Sequence, residues 1–334
     1  MKESVKRLLD SYVYKDRMEP GGIMAPGGLA IEGKPAMTGI DPDKVGRYVV
    51  MLVRDPLLVY GGDPAEILAK RLENPVLAGK TGLFTTWSGW YKGAHITFVS
   101  GGSGAPEAEL PLVELMHYTK ADTFIRLAGS AAISEEVHSG DVVISSGIVR
   151  GDGVSKVYIE PEFPALCSHE VVLAMSKSAS DLGCRWHVGV TRCSDCEHVG
   201  GGRPAVDGYI QPWHTEIIEY YNRANVLNLD RESSVIATLC TLFQKRGGAV
   251  FSIDNNIVTG ERFIPGQGHD DSIQVVLEGL ANLHNMDVQK EKKKSSLLGA
   301  GGNRIKLWMR ANTEKSLKVP LHRVDVVLDT DAFK

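Results

Sequence analysis

The feature that most limits what this chain can become is an exchange of two hydrophobic periods between Val45 and about Asn285. Short β-branched runs at Tyr48–Val53, His95–Val99, Thr123–Leu127, Asp141–Ile148, His187–Thr191, Val226–Leu229 and Ala249–Ile253 predict strands bounded by Gly, Asp or Asn. Helical patterns fit between them, at Pro64–Leu72, Glu107–Tyr118, Ser168–Leu182, Trp213–Arg223, Ser233–Lys245 and Asp271–Leu283. Strands separated by helices predict a three-layer α/β domain around a mixed sheet. There is no internal repeat.

The flanks read differently. Residues 1–45 are rich in Gly and Pro (Pro20, Gly21, Gly22, Pro26, Gly27, Gly28, Pro35) and predict an irregular arm before a domain over 46–288. Residues 289–334 combine a charged run, Lys290–Lys294, with Gly299–Gly302, and predict a flexible tail outside the core.

Bulk properties exclude several function classes. A net charge of −4 provides no basic field for holding nucleic acid. No uncharged run approaches the length of a membrane span, and the N-terminus lacks the apolar core of a signal peptide. Five cysteines in 334 residues do not make a disulfide framework. A reducing, cytoplasmic setting with no nucleic-acid or membrane partner is the expectation.

Three glycine-bearing turns follow predicted strands: Gly61-Gly62-Asp63-Pro64, Gly101-Gly102-Ser103-Gly104-Ala105-Pro106 and Ala128-Gly129-Ser130. In an α/β domain, ligands collect at strand ends, where Gly allows close approach and helix N-termini offer N–H groups to anions. Arg126 closes a strand just before the third turn and suits a phosphate. Read singly, each loop is also compatible with an ordinary tight turn, and Arg126 with a structural ion pair.

Taken in order, these turns join further segments: Phe84-Thr85-Thr86-Trp87, Thr123-Phe124-Ile125-Arg126, Gly140-Asp141-Val142, Glu162-Phe163-Pro164-Ala165 and Gly189-Val190-Thr191. The collinear set, from about Gly39 to Asn285, resembles the uridine phosphorylase branch of the nucleoside phosphorylase-I family. The resemblance implies a three-layer α/β/α sandwich with a central mixed, distorted barrel-like sheet. It also implies phosphorolysis of a pyrimidine nucleoside by a pentosyltransferase, with phosphate as co-substrate and no required cofactor. Relatives complete their sites across a dimer, sometimes within a hexamer, so a homodimer is expected.

The resemblance also assigns roles. Arg203 matches the arginine that meets the base, while Gly201 stands where relatives carry a Gln. Glu232 matches the glutamate that holds the ribose hydroxyls, and Arg231 replaces a Met beside it. Arg126, with the Gly62, Gly129 and Ser130 turns, is expected at phosphate. The family's phosphate arginines are missing where this chain has Glu66 and Gly82, and Met37 stands near the position of a ribose-binding His. Arg231, Arg54 or Lys80 could replace that charge. Otherwise a phosphate-independent nucleoside hydrolase or a non-catalytic binding protein on the same scaffold is the alternative.

Asp254 falls near where purine-specific relatives place an Asp that protonates the purine N7, or else it caps a turn after its strand. Cys193-x-x-Cys196 with His198 has zinc-like spacing but no second Cys/His pair. Glu107, beside Ser103, replaces a Ser at the family's interface cation site, where it would suit calcium or potassium, unless it merely favours the helix dipole. Val326-Val327-Leu328-Asp329-Thr330-Asp331 is similar to the opening strand of inosine–uridine nucleoside hydrolases, without the rest of that domain.

Overall fold

The computed structural model describes residues 3–55 and 60–298, so the Val326–Asp331 segment lies outside the described residues. One compact unit runs from Met1 to Leu283 and a second from His284. The first contains the sheet and the cleft. Among the described residues no helix is long and apolar enough to cross a membrane.

In the N-terminal arm, β1 (Ala30–Ile31) and β2 (Lys34–Pro35) pair as a small antiparallel hairpin. The other strands are β3 (Tyr48–Val53), β4 (Glu73–Lys80), β5 (Thr85–Tyr91), β6 (Ala94–Gly101), β7 (Thr123–Ala132), β8 (Val142–Gly151), β9 (Ala165–Leu166), β10 (Trp186–Ser194), β11 (Val226–Asp230) and β12 (Arg246–Asn256). They form one sheet in the order β11-β10-β8-β12-β7-β3-β6-β5-β4, with β9 on the flank of β8. The helices are α1 (Glu3–Asp10), α2 (Pro64–Ala69), α3 (Ala105–Tyr118), α4 (Val154–Tyr158), α5 (His169–Leu182), α6 (Pro212–Thr215), α7 (Ile217–Arg223), α8 (Ser233–Leu242) and α9 (His269–Leu298).

The sheet is mixed and partly closed, as the resemblance implies. β11 turns back onto β7, with Asn228 opposite Ala132, so that β7, β12, β8, β10 and β11 close into a five-stranded barrel. Closure needs local distortion. The β12–β7 register shifts between Ile253 and Asn255, which leaves Asp254 as the extra residue of a bulge.

The three layers are visible at two successive glycines of β12. A Cβ on Gly247 would lie 2.9 Å from Cys240 Cβ of α8, and one on Gly248 would lie 2.6 Å from Val171 Cγ1 of α5. Successive strand residues point to opposite faces, so α8 and α5 cover opposite sides of the sheet. On the α8 side, Val49, Phe124, Leu112, Leu115, Ile236 and Leu239 are buried in one cluster. Each such side chain contributes about 1.5–3 kcal/mol relative to exposure.

Several elements depart from the periodicity. β4 is an edge strand containing Pro75, with most of its residues exposed, so it shows no apolar alternation. The expected Trp213–Arg223 helix divides at Glu216 into α6 and α7, and α9 runs well beyond the expected end at Leu283. The arm is less irregular than its composition predicts: it opens with α1 and is tied to α3 through Glu114, which accepts from Met37 N, Thr38 N and Thr38 Oγ1 at 2.9, 2.9 and 2.6 Å.

Candidate active site

The site grows from three places in the fold: the middle of β7, the end of β11, and the turn between β6 and α3. Arg126 of β7 is 5% exposed. Asp230 ends β11, and its Oδ2 accepts from Glu232 N and Ser233 N at 2.9 and 2.6 Å, capping the start of α8. Its Oδ1 lies 3.5 Å from Arg126 Nε. Glu232, at the α8 N-cap, places Oε2 2.7 Å from Arg126 Nη2. Its Oε1 accepts from Ser103 Oγ at 3.1 Å and Gly104 N at 2.5 Å. Gly104 has φ +102°, a left-handed conformation that residues with a Cβ rarely adopt, and this turns its N–H onto the carboxylate.

One guanidinium therefore answers two buried carboxylates. Burial pushes Glu232 up, and the neighbouring Asp230 charge adds to this against the pull of Arg126. Asp230 is also desolvated, but Arg126 and the Ser233 hydrogen bonds hold it below the ordinary carboxylate range.

These groups line a cleft of about 710 Å³. Gly129 and Ser130 form part of its wall, as does Arg54 at the end of β3. Ser130 is fixed by an oriented chain across four barrel strands. Ser145 donates to Thr191, Thr191 Oγ1 to Asn228 Oδ1 at 2.8 Å, Asn228 Nδ2 to Ser130 Oγ at 2.9 Å, and Ser130 to Leu229 O at 2.6 Å. The Ser130 proton is thus already committed, which leaves Arg126 as the stronger donor at this end. Arg54 is likewise engaged, with Asp63 at 3.0 Å, Leu83 O at 2.6 Å and Thr85 Oγ1 at 3.2 Å.

A further part of the cleft lining comes from β10 and the loop after it. Arg203 lines the cleft at its rim, with its side chain 56% exposed and Nη2 2.6 Å from Glu197 Oε1. Arg231 donates to Asp195 O at 3.1 Å and lies 4.0 Å from Glu197 Oε2. Gly201 faces open space: a Cβ there would meet nothing within 4 Å. Arg192, which the motif comparison passed over, also lines the cleft, is 6% exposed, and lies 4.7 Å from the centroid of the Tyr221 ring. A charged residue inside an otherwise buried strand end was the signal for it.

Asp254 lines the same cleft and is 4% exposed, and its Oδ1 has no hydrogen-bond partner. Burial, with a further push from the Asp55 charge, raises its carboxyl to about 7. The bulge in β12 aims this group.

Other residues singled out by sequence lie elsewhere. Gly62 and Glu66, at the start of α2, are exposed and not part of the cleft wall. Gly82, Lys80 and Met37 also lie outside it. Glu107 is half-buried in the first turn of α3, packed against Gly102, while Ser103 is occupied with Glu232. Among the described residues no three His, Cys, Asp or Glu side chains cluster to hold a metal, so a cation at Glu107 would need ligands of other kinds or from another chain. Cys193 is buried and Cys196 is exposed, with Cys196 Sγ accepting from Gly200 N.

Comparison with known proteins shows the family. A family model described as the Phosphorylase superfamily matches residues 56–282. The chain is similar to a uridine phosphorylase of Thermococcus kodakarensis, with 31% identity over 264 residues, 78% of this chain and 91% of that protein. It is 29% identical over 235 residues to the uridine phosphorylase of Escherichia coli, covering 68% of this chain and 92% of that protein. It is also similar to a guanosine phosphorylase of Halorubrum lacusprofundi, at 25% identity over 219 residues, 65% of this chain and 84% of that protein.

Proposed function

The chain belongs to the phosphorylase superfamily, and on that premise we propose that it transfers the pentosyl group of uridine to phosphate, releasing uracil and ribose 1-phosphate. As a nucleoside phosphorylase it is a pentosyltransferase. The observation that carries the reading is the Arg126–Glu232 pair in the cleft wall, with Glu232 steadied by Ser103 and Gly104.

Phosphorolysis asks for little covalent work from the protein. Phosphate attacks C1′ while the glycosidic bond lengthens, so the sugar becomes cationic and the base anionic. Glu232, fixed on three sides, is suited to hold the ribose 2′- and 3′-hydroxyls and to stabilise the cationic sugar. Arg126 has N–H groups beyond those given to Glu232 and Leu127 O, and these are the donors for phosphate. Glu66, whose charge beside a phosphate would speak for a hydrolase, does not line the cleft, which supports the phosphorylase reading. At least a dimer is part of this reading, checked by sedimentation.

Incubation with uridine, with and without phosphate, tests the proposal. Phosphate-dependent release of uracil is expected, and equal rates in both conditions would reject it in favour of a hydrolase. Absence of turnover alongside measurable nucleoside binding would favour a non-catalytic role.

Asp254 favours a second reading. A carboxyl that keeps its proton near neutrality can donate to the N7 of a purine as the base leaves. Turnover of inosine or guanosine above that of uridine, lost in Asp254→Asn, would move the specificity to purines.

A further inference from the structure

Arg192 is buried in the cleft wall, and among the described residues no carboxylate, carbonyl or hydroxyl accepts from its guanidinium. Its contact is the face of Tyr221, on α7. The other arginines of this wall are answered: Arg126 by Glu232 and Asp230, Arg54 by Asp63, and Arg203 and Arg231 by Glu197. Removing a cation from water without an acceptor is costly, and a ring face returns only part of that cost. Such a group persists most simply where a ligand completes it.

Its place in the barrel says which part of the ligand. Arg192 sits on β10 between Val149 of β8 and Leu229 of β11. Two residues later Ser194 lines the same cleft, and the chain then enters the loop that carries Gly201 and Arg203. That loop offers little to a base from inside the cleft, since Gly201 has no side chain and Arg203 is exposed and neutralised by Glu197.

We infer that Arg192 binds the departing base and stabilises the negative charge it acquires, an inference that rests on phosphorolysis at this cleft. As the C1′–N bond breaks, its electron pair goes to the base while a phosphate oxygen forms the new bond to C1′. The base anion spreads its charge onto its carbonyl oxygens, where the guanidinium donates, and takes a proton from water after release. A guanidinium supplies donors only, where an amide would supply donor and acceptor. The site therefore favours a base edge rich in acceptors.

The test compares wild type, Arg192→Met and Arg192→Lys on uridine and on 5-fluorouridine, whose base is the more stable anion. Arg192→Met should lose about 100-fold in kcat/KM on uridine, the size of a lost charge-stabilising donor. It should lose distinctly less on 5-fluorouridine, and KM for phosphate should not move. Arg192→Lys should recover part of the loss. Calorimetry with free uracil should show weaker binding in Arg192→Met and unchanged binding of inorganic phosphate, with no fall in Tm. Equal losses on both nucleosides, a change confined to phosphate, or unchanged uracil affinity would each overturn the inference. If the wild type shows no phosphate-dependent cleavage, the phosphorylase reading fails, and the uracil-binding comparison still decides whether Arg192 holds the base.

Discussion

Arg126 Nη2 stands 2.7 Å from Glu232 Oε2, with the two side chains only 7% and 3% exposed. Asp230 Oδ1 lies 3.5 Å from Nε of the same guanidinium. The site in this state is a buried cluster with one cation and two carboxylates, and an incoming phosphate must share Arg126 with both. Ligand binding is therefore coupled to the protonation of this cluster.

Replacing Arg126 by Met should abolish activity and destabilise the fold by about 3–5 kcal/mol near neutral pH, because two buried carboxylates lose their counter-charge. Adding Glu232→Gln to that variant should restore part of the stability and none of the activity. Urea unfolding of the single and double variants measures this.

Asp254 should show itself in the pH dependence of stability. Its carboxyl is raised by burial and by the Asp55 charge to about 7, so the folded protein keeps a proton that the unfolded chain releases at ordinary carboxylate pH. The stabilising contribution is complete below that range and declines as the pH rises through about 7. Asp254→Asn, with no proton to lose, should match wild type in Tm at pH 4 and exceed it at pH 8. A Tm difference that does not grow with pH would contradict the assignment.

Gly201 has the space for the amide that it lacks. Gly201→Gln should fold normally and lower KM for uridine several-fold, with roughly 1 kcal/mol from one added hydrogen bond. Steady-state kinetics on uridine and inosine would show whether the gain is confined to the pyrimidine.

The arm can be tested through Glu114. Three donors from Met37 and Thr38 converge on this buried carboxylate. Glu114→Ala leaves them unmatched and should cost about 2–4 kcal/mol, at 1–3 kcal/mol for each unsatisfied buried group with partial relaxation. Limited proteolysis should then cut the arm before Thr38 faster than in wild type.

Local pattern carried much of the fold. The runs at Tyr48–Val53, Thr123–Leu127 and Ala249–Ile253 lie within β3, β7 and β12, because a strand buried on both faces must be apolar and β-branched whatever its neighbours are. β4 escaped because an exposed edge strand with a proline has no such requirement. The division of the helix at Glu216 escaped because both pieces share one amphipathic pattern.

The site divides the same way. Arg126, Glu232, Ser103 and Gly129–Ser130 could be named from motif order alone, although Arg126, Gly129 and Ser130 lie inside β7, which runs on through the turn expected after Leu127. Their relations could not. Ser103 and Glu232 stand 129 positions apart, and only the packing of the β6–α3 turn against the start of α8 brings them to 3.1 Å. Asp254 was a candidate from its motif position, but the bulge in β12 is what turns it into the cleft, and Arg192 became a site residue only once the barrel closed. Sequence by itself determined the buried elements and the family, because periodicity and ordered motifs are properties of neighbours along the chain. Tertiary structure decided which charges are paired and which are left open to a ligand, because burial and Coulomb interaction depend on distances in space.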